Sequence, residues 1–254
     1  MGGISTGIEH GGQVARITLD APKANILDGE MMALLAGAFE QMAGHPAVKL
    51  LVLEGAGDHF SFGASVEEHQ AQFVGKMIPA FGKMTRALFD SRIPSVALVR
   101  GQCLGGGMEL ALICNWVFAA PGARFGQPEI QLGVFPPVAS LLLPLLIGQM
   151  AADDLCLTGR SIGAEEARGM GLVHTVSENP EQALQEFITA HILPKSAAAL
   201  RIAHRASRHQ LHATFLAGWE EMERLYLSDL MATADANEGI AAFIEKRKPL
   251  WQHR

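Results

Sequence analysis

An α/β fold is predicted by three observations. Strand-like and helix-like segments alternate through the first half of the chain, the second half turns almost wholly helical, and 49% of the 254 residues are hydrophobic. That is enough apolar material for one large shared core. No internal repeat, low-complexity run or linker divides the chain into independently folding units.

The elements follow in order. Val14-Ala15-Arg16-Ile17-Thr18-Leu19 alternates faces and reads as a strand, and Val48-Lys49-Leu50-Leu51-Val52-Leu53 reads as a more buried one. Between them Met31, Leu34, Leu35, Ala38, Phe39 and Met42 recur at helical spacing behind Asp28, which is suited to cap the helix. Ser95 to Val99, after Pro94, and Trp116 to Ala119 supply two further strands. From about Ala164 the pattern is helical, through Ala183-Leu184-Phe187-Ile188, Ser196 to Arg208, Leu211 to Leu230 and Ile240-Phe243-Ile244.

A net charge of −6 and a pI near 5.9 give no global attraction to nucleic acid or to an anionic membrane. Cys103, Cys114 and Cys156 make an odd count without metal-ligand spacing, so neither a disulfide framework nor a zinc site is indicated. The most apolar stretch, Leu132 to Ile147, is broken by Pro136, Pro137 and Pro144, and no export signal opens the chain. A cytoplasmic protein without membrane partners is expected. Met1-Gly2 with Ser5 and Thr6 matches a short myristoylation pattern that chance often supplies.

The most informative motif is Cys103-Leu104-Gly105-Gly106-Gly107-Met108-Glu109. No Gly-Lys-Ser/Thr follows it, and the third glycine of a dinucleotide fingerprint is replaced by Leu110, so both nucleotide readings fail. A glycine turn that opens a helix presents bare N–H groups to an anion. Glu109, about one turn after Gly106, leans back toward them. A second glycine loop, Phe60 to Glu68, follows the buried strand and can supply another free N–H. Taken singly, the loops are tight turns, Glu109 is a helix-dipole carboxylate and Glu129 an exposed loop charge.

Taken together, these segments resemble the crotonase superfamily, the enoyl-CoA hydratase/isomerase group, over nearly the whole chain. The resemblance is carried by Pro22 to Leu27, Phe60 to Glu68, Gly101 to Leu110 with Cys114-Asn115, and Phe125-Gly126-Gln127-Pro128-Glu129-Ile130-Gln131-Leu132-Gly133. Leu157 to Arg160, Ala164 to Val173 and Glu238 to Lys248 support it. It implies a spiral of ββα repeats over residues 1–195 and a C-terminal helical trimerisation region over residues 196–254, giving a homotrimer or a dimer of trimers. It also implies an acyl-CoA substrate, with no cofactor beyond the coenzyme A that the substrate carries. The thioester oxygen would accept hydrogen bonds from the N–H groups of Ala64 and Gly106, and Glu109 and Glu129 would be the catalytic pair. Lys23, Ala24, Phe62 and Ala64 fall where the family binds CoA, and Lys246 and Lys248 lie near a segment that approaches CoA phosphates.

Departures from the usual hydratase pattern reshape the acyl pocket. Phe62 replaces a small residue, Ser65 an aspartate, and Val134-Phe135-Pro136-Pro137-Val138-Ala139-Ser140 a glycine-rich run. Phe62, Val66, Phe135 and Pro136 would wall a pocket suited to a flat ring. Residues 63–69 and 134–140 are similar to cyclohexa-1,5-diene-1-carbonyl-CoA hydratases, which add water 1,4 across a ring diene. A linear 2-enoyl-CoA hydratase or isomerase is the alternative. Arg201, Arg205 and Arg208 on one helical face, with His204 nearby, raise RNA binding, which the acidity of the chain opposes. His209 and His212 lack a third metal ligand. A catalytically silent acyl-CoA binder is a further alternative, opposed by retention of both glutamates.

Overall fold

The computed structural model describes residues 3–21 and 24–254. Lys23 and the Met1-Gly2 pattern lie outside the described residues. The strands are Gly3–Glu9 (β1), Val14–Asp20 (β2), Leu50–Gly55 (β3), Ser95–Val99 (β4), Gln102–Leu104 (β5), Trp116–Ala119 (β6), Arg124–Gly126 (β7), Ser161–Gly163 (β8) and Thr175–Val176 (β9). Six form one sheet in the order β1-β2-β3-β4-β6-β9, antiparallel at β1/β2 and parallel elsewhere. A second sheet, β5-β7-β8, carries the glycine turn at the end of β5.

Side chains on β3 and β4 alternate between two cores, as strand geometry requires. Leu51, Leu53, Ala97 and Val99 join the larger core with the helices Gly29–Ala43 (α1) and Val74–Ser91 (α2). Leu50, Val52, Val96 and Leu98 face the smaller core with Leu184 and Ile188. Asp28 caps α1 as its sequence context predicts, accepting a hydrogen bond from the Met31 N–H. The strand expected at 48–53 runs from 50 to 55, because the Lys49 N–H turns to the Gln13 carbonyl before the ladder begins.

The glycine turn leads into Gly106–Leu112 (α3). Beyond it lie Pro137–Ile147 (α4), Gln149–Thr158 (α5), Ala164–Gly169 (α6) and Pro180–Phe187 (α7). The C-terminal layer comprises Ala197–Ser207 (α8), His209–Arg224 (α9), a π-helical continuation over Leu225–Leu230, and Ala234–Ile244 (α10). Phe215 and Trp219 of α9 are buried in the larger core. A Cβ on Gly82 would come within 2.3 Å of the Trp219 indole, so this glycine sets how closely α2 and α9 approach.

The basic face of α8 is committed to backbone. Arg201 donates to the carbonyls of Ala43, His45 and Val48 at 3.0, 2.7 and 3.3 Å, and Arg208 donates to that of Cys114. These contacts fasten α8 and the start of α9 to the sheet layers, leaving two of the three arginines engaged away from any phosphate. The His212 imidazole stacks on Phe89 with ring centroids 5.0 Å apart, and its Nε2 is 3.5 Å from Asp90.

Candidate active site

Two short backbone segments converge at one point. Gly105, at φ 51 and ψ −130, takes a conformation open mainly to glycine, and α3 begins at the next residue. Ser61 pairs with Cys103, and the Leu104 N–H donates to the Ser61 carbonyl at 3.0 Å. Leu27 pairs with Ala64, with its N–H on the Gly63 carbonyl at 2.9 Å. Asn25, buried at φ 46, anchors this junction by donating to the Ala56 and His59 carbonyls, while its own carbonyl accepts from the Ser61 hydroxyl. The outcome is close approach: a Cβ on Gly63 would lie 3.2 Å from the Gly106 nitrogen, and one on Gly106 would lie 3.2 Å from the Ala64 nitrogen. Neither the Ala64 nor the Gly106 N–H donates to a protein acceptor among the described residues.

Glu109 is buried on α3, only 3% exposed, and its Oε1 accepts hydrogen bonds from Val138 N–H at 2.7 Å and Ala139 N–H at 2.8 Å. Its sequence position suggests a carboxylate beside the amides of its own helix; in the fold it also holds the N-terminus of α4. The Pro136-Pro137 pair explains this. Pro136 is the N-cap residue of α4 and Pro137 opens the helix without an N–H, so the next bare donors belong to residues 138 and 139. Burial raises the Glu109 pKa and the two N–H bonds lower it, leaving it at about 7.

Glu129 lies in the 3-10 turn Pro128–Leu132. It is pressed against the glycine turn: a Cβ on Gly105 would come within 2.5 Å of its Oε1. The fully buried Gln127 amide lies 3.1 and 3.2 Å from the two carboxylate oxygens, in the orientation that donates N–H to both. Glu129 is half-buried, and its accessible part faces the cavity between the two glycine loops rather than the outer protein surface. Burial, followed by the charge of Glu109, pushes its pKa well above the usual carboxylate value. The two glutamates thus titrate as a pair.

The cavity has two chambers. The outer one, about 560 Å³, is bordered by Ala24, Ile26, Phe62, Ala64, Val66, Glu129, Phe243 and Arg247. The inner one, about 20 Å³, brings Glu109, Glu129, Ala64 and Gly106 together with His69, Phe135, Pro137 and Tyr226. A volume of roughly 10–15 Å³ accommodates one water, so the inner chamber matches that scale. A larger cleft of about 700 Å³, bordered by Trp116, Arg168, His174 and Arg208, shares none of these residues and has only Glu165 as a carboxylate.

The predicted pocket residues therefore divide. Ala24, Phe62 and Val66 line the outer chamber and Phe135 the inner one. Pro136 is buried at the start of α4, where its carbonyl accepts from Ser140, and its neighbour Pro137 borders the inner chamber. Lys246 and Lys248 are exposed and away from the cavity lining, which takes Phe243, Arg247 and Pro249 from the same segment. Arg247 is held by Glu238 and Glu245. Gln127, His69 and Tyr226 were not singled out by sequence reasoning. His69 had a signal, since it closes the 63–69 segment; its Nδ1 is 2.7 Å from the Ser65 carbonyl, and burial lowers its pKa.

Residues 9–254 match the family described as enoyl-CoA hydratase/isomerase. The cyclohexa-1,5-dienecarbonyl-CoA hydratase of Thauera aromatica is 44% identical over 247 residues, covering 97% of this chain and 96% of that protein. A probable enoyl-CoA hydratase of Rhizobium meliloti is 38% identical over 252 residues, covering 97% of each. The crystal structure of an enoyl-CoA hydratase/isomerase from Pseudoalteromonas atlantica is similar, with a TM-score of 0.85 at 28% identity, covering 98% of this chain and 99% of that one.

Proposed function

The chain belongs to the enoyl-CoA hydratase/isomerase family and is a hydro-lyase of the enoyl-CoA hydratase type, and from that premise we propose that it adds water 1,4 to cyclohexa-1,5-diene-1-carbonyl-CoA. The observation that carries the reading is the joint lining of one water-sized chamber by Glu109, Glu129, Ala64 and Gly106, the last two with N–H groups that donate to no acceptor among the described residues. The ring substrate is supported by the 44% identity to the Thauera aromatica enzyme.

In this proposal the thioester oxygen accepts hydrogen bonds from Ala64 and Gly106. Each donor stabilises the developing enolate by about 3 kcal/mol, because it is fixed in place and shielded from water. Near neutral pH the glutamate pair shares one proton. Glu109, whose pKa is brought down to about 7 by the α4 amides, takes a proton from water as hydroxide adds to the ring β-carbon. Electrons move through the diene to the thioester oxygen, forming a dienolate. Glu129, the carboxyl with the more strongly raised pKa, delivers its proton to the γ-carbon. Return of the proton from Glu109 to Glu129 through solvent completes the addition of one water.

Ala24, Phe62 and Arg247 border the outer chamber, where the CoA chain would lie. Residues 196–254 would carry trimer assembly in the cytoplasm. A linear enoyl-CoA substrate is the second reading, favoured by relatives such as the Rhizobium meliloti protein. Steady-state hydration of cyclohexa-1,5-diene-1-carbonyl-CoA and crotonyl-CoA separates the two. The ring proposal expects a kcat/KM at least about tenfold higher for the diene, equivalent to about 1.4 kcal/mol of transition-state preference. Preference for crotonyl-CoA favours the linear reading.

A further inference from the structure

Tyr226 is the one tyrosine of the chain. It comes from the π-helical continuation of α9, far in sequence from either glycine loop, and only 1% of it is exposed. Its ring packs on Phe135 with centroids 5.1 Å apart, and the His69 ring is 6.3 Å away. Its hydroxyl is buried without a hydrogen-bond partner among the described residues. A buried phenol is ordinarily paired. Thr85, Arg201, His204 and His212 also carry an unpaired buried atom, but only Tyr226 shares the inner chamber with Glu109 and Glu129. Burial and the two carboxylates push the phenol pKa up well above its usual value, so the group is a hydrogen-bond donor at any working pH.

We propose that Tyr226 is a third catalytic residue, whose O–H donates a hydrogen bond to the oxygen atom being added: the water in hydration and the product hydroxyl in dehydration. The inference deepens the hydratase reading and rests on it. A water whose hydrogen is accepted by Glu109 still has two lone pairs. Donation from Tyr226 to one of them orients the other toward the β-carbon. In the reverse direction the same donor stabilises the departing oxygen as it gains charge. Tyr226 keeps its proton throughout, so the proton balance between the two glutamates is unchanged.

The test is Tyr226→Phe, which preserves the ring and its contact with Phe135. Because the lost hydroxyl has no protein partner, the melting midpoint should hold or rise. With whichever of the two CoA esters the parent protein hydrates, kcat should fall about 10- to 100-fold with a smaller change in KM, as for loss of a preorganised donor. Calorimetric binding supplies the discriminating readout. The variant should bind the hydroxyacyl-CoA product about tenfold more weakly, a loss of about 1.4 kcal/mol, while the saturated acyl-CoA without the hydroxyl binds as tightly as before. An unchanged kcat, or equal weakening of both ligands, would overturn the assignment. If the parent protein hydrates neither ester, the hydratase reading fails separately, and the difference between the two ligands still decides whether Tyr226 recognises the hydroxyl.

Discussion

Replacing Glu109 by glutamine or by alanine separates its two duties, because one carboxylate oxygen holds α4 and the group as a whole belongs to the proposed acid–base pair. The Oε1 bonds to Val138 and Ala139, at 2.7 and 2.8 Å, need only an acceptor. A glutamine carbonyl supplies one, so Glu109→Gln should change stability by less than about 1 kcal/mol at pH 4, where Glu109 is protonated in both the folded and the unfolded chain. Alanine leaves both N–H groups unpaired in a buried site, at about 1–3 kcal/mol each, partly offset by water entering the vacated space. A net loss of roughly 3 kcal/mol is expected. Both variants should lose about 10²–10⁴-fold in kcat, the usual contribution of a positioned acid or base. Urea unfolding at pH 4 and steady-state hydration of the preferred CoA ester near neutral pH measure the two effects. A Glu109→Gln protein that hydrates at the parental rate would refute the catalytic role. Equal stability of the two variants would refute the role in holding α4.

Three further outcomes follow from the same geometry. The logarithm of kcat/KM should rise with pH through about 7, where Glu109 becomes an available base, and fall at higher pH as Glu129 loses the proton it must donate; a flat profile from pH 5 to 10 would contradict the shared-proton arrangement. Stability should move the other way. The folded protein holds the Glu109 proton more tightly than the unfolded chain does, so the contribution is fully present below pH 4.5 and is lost as pH rises to about 7. That loss amounts to roughly 3 kcal/mol, and chemical denaturation of Glu109→Gln should lack this component. Gly105→Ala adds a Cβ at φ 51 within 2.5 Å of the Glu129 carboxylate, so hydration should drop by more than about tenfold and stability by about 1–3 kcal/mol. Full activity of that variant in the steady-state assay would show that the carboxylate moves aside without consequence.

Much of this arrangement is legible along the chain because it depends on local signals. Asp28 precedes an amphipathic run and caps it. The glycine turn reads as the opening of a helix because Gly105 takes a conformation that other residues resist and α3 begins at the next residue. Other elements are hidden by opposing local preferences. Helix α2 contains Pro79, Gly75 and Gly82, which weaken its propensity, yet its buried face carries Met77, Ile78, Phe81 and Met84 into the core. Pro136 and Pro137 read as stiffeners of a pocket wall, whereas they start α4 and expose the two amides that Glu109 holds. No spacing rule links Glu109 to an amide nearly thirty residues away. Tyr226 is harder still, since the π-helical stretch over Leu225–Leu230 breaks the 3.6-residue phase that would tell which way it faces. The family resemblance brought Ala64, Gly106, Glu109 and Glu129 forward as a set, and the fold adds Gln127 and His69 around them.

The 1,4-hydration itself is tested most directly by running the reaction on cyclohexa-1,5-diene-1-carbonyl-CoA in D₂O and locating the deuterium in the product by NMR. Protonation of a dienolate by Glu129 predicts one deuterium at the ring γ-carbon, a hydroxyl at the β-carbon and a retained conjugated double bond. Deuterium at the α-carbon, or recovery of the diene with no water added, would contradict the account.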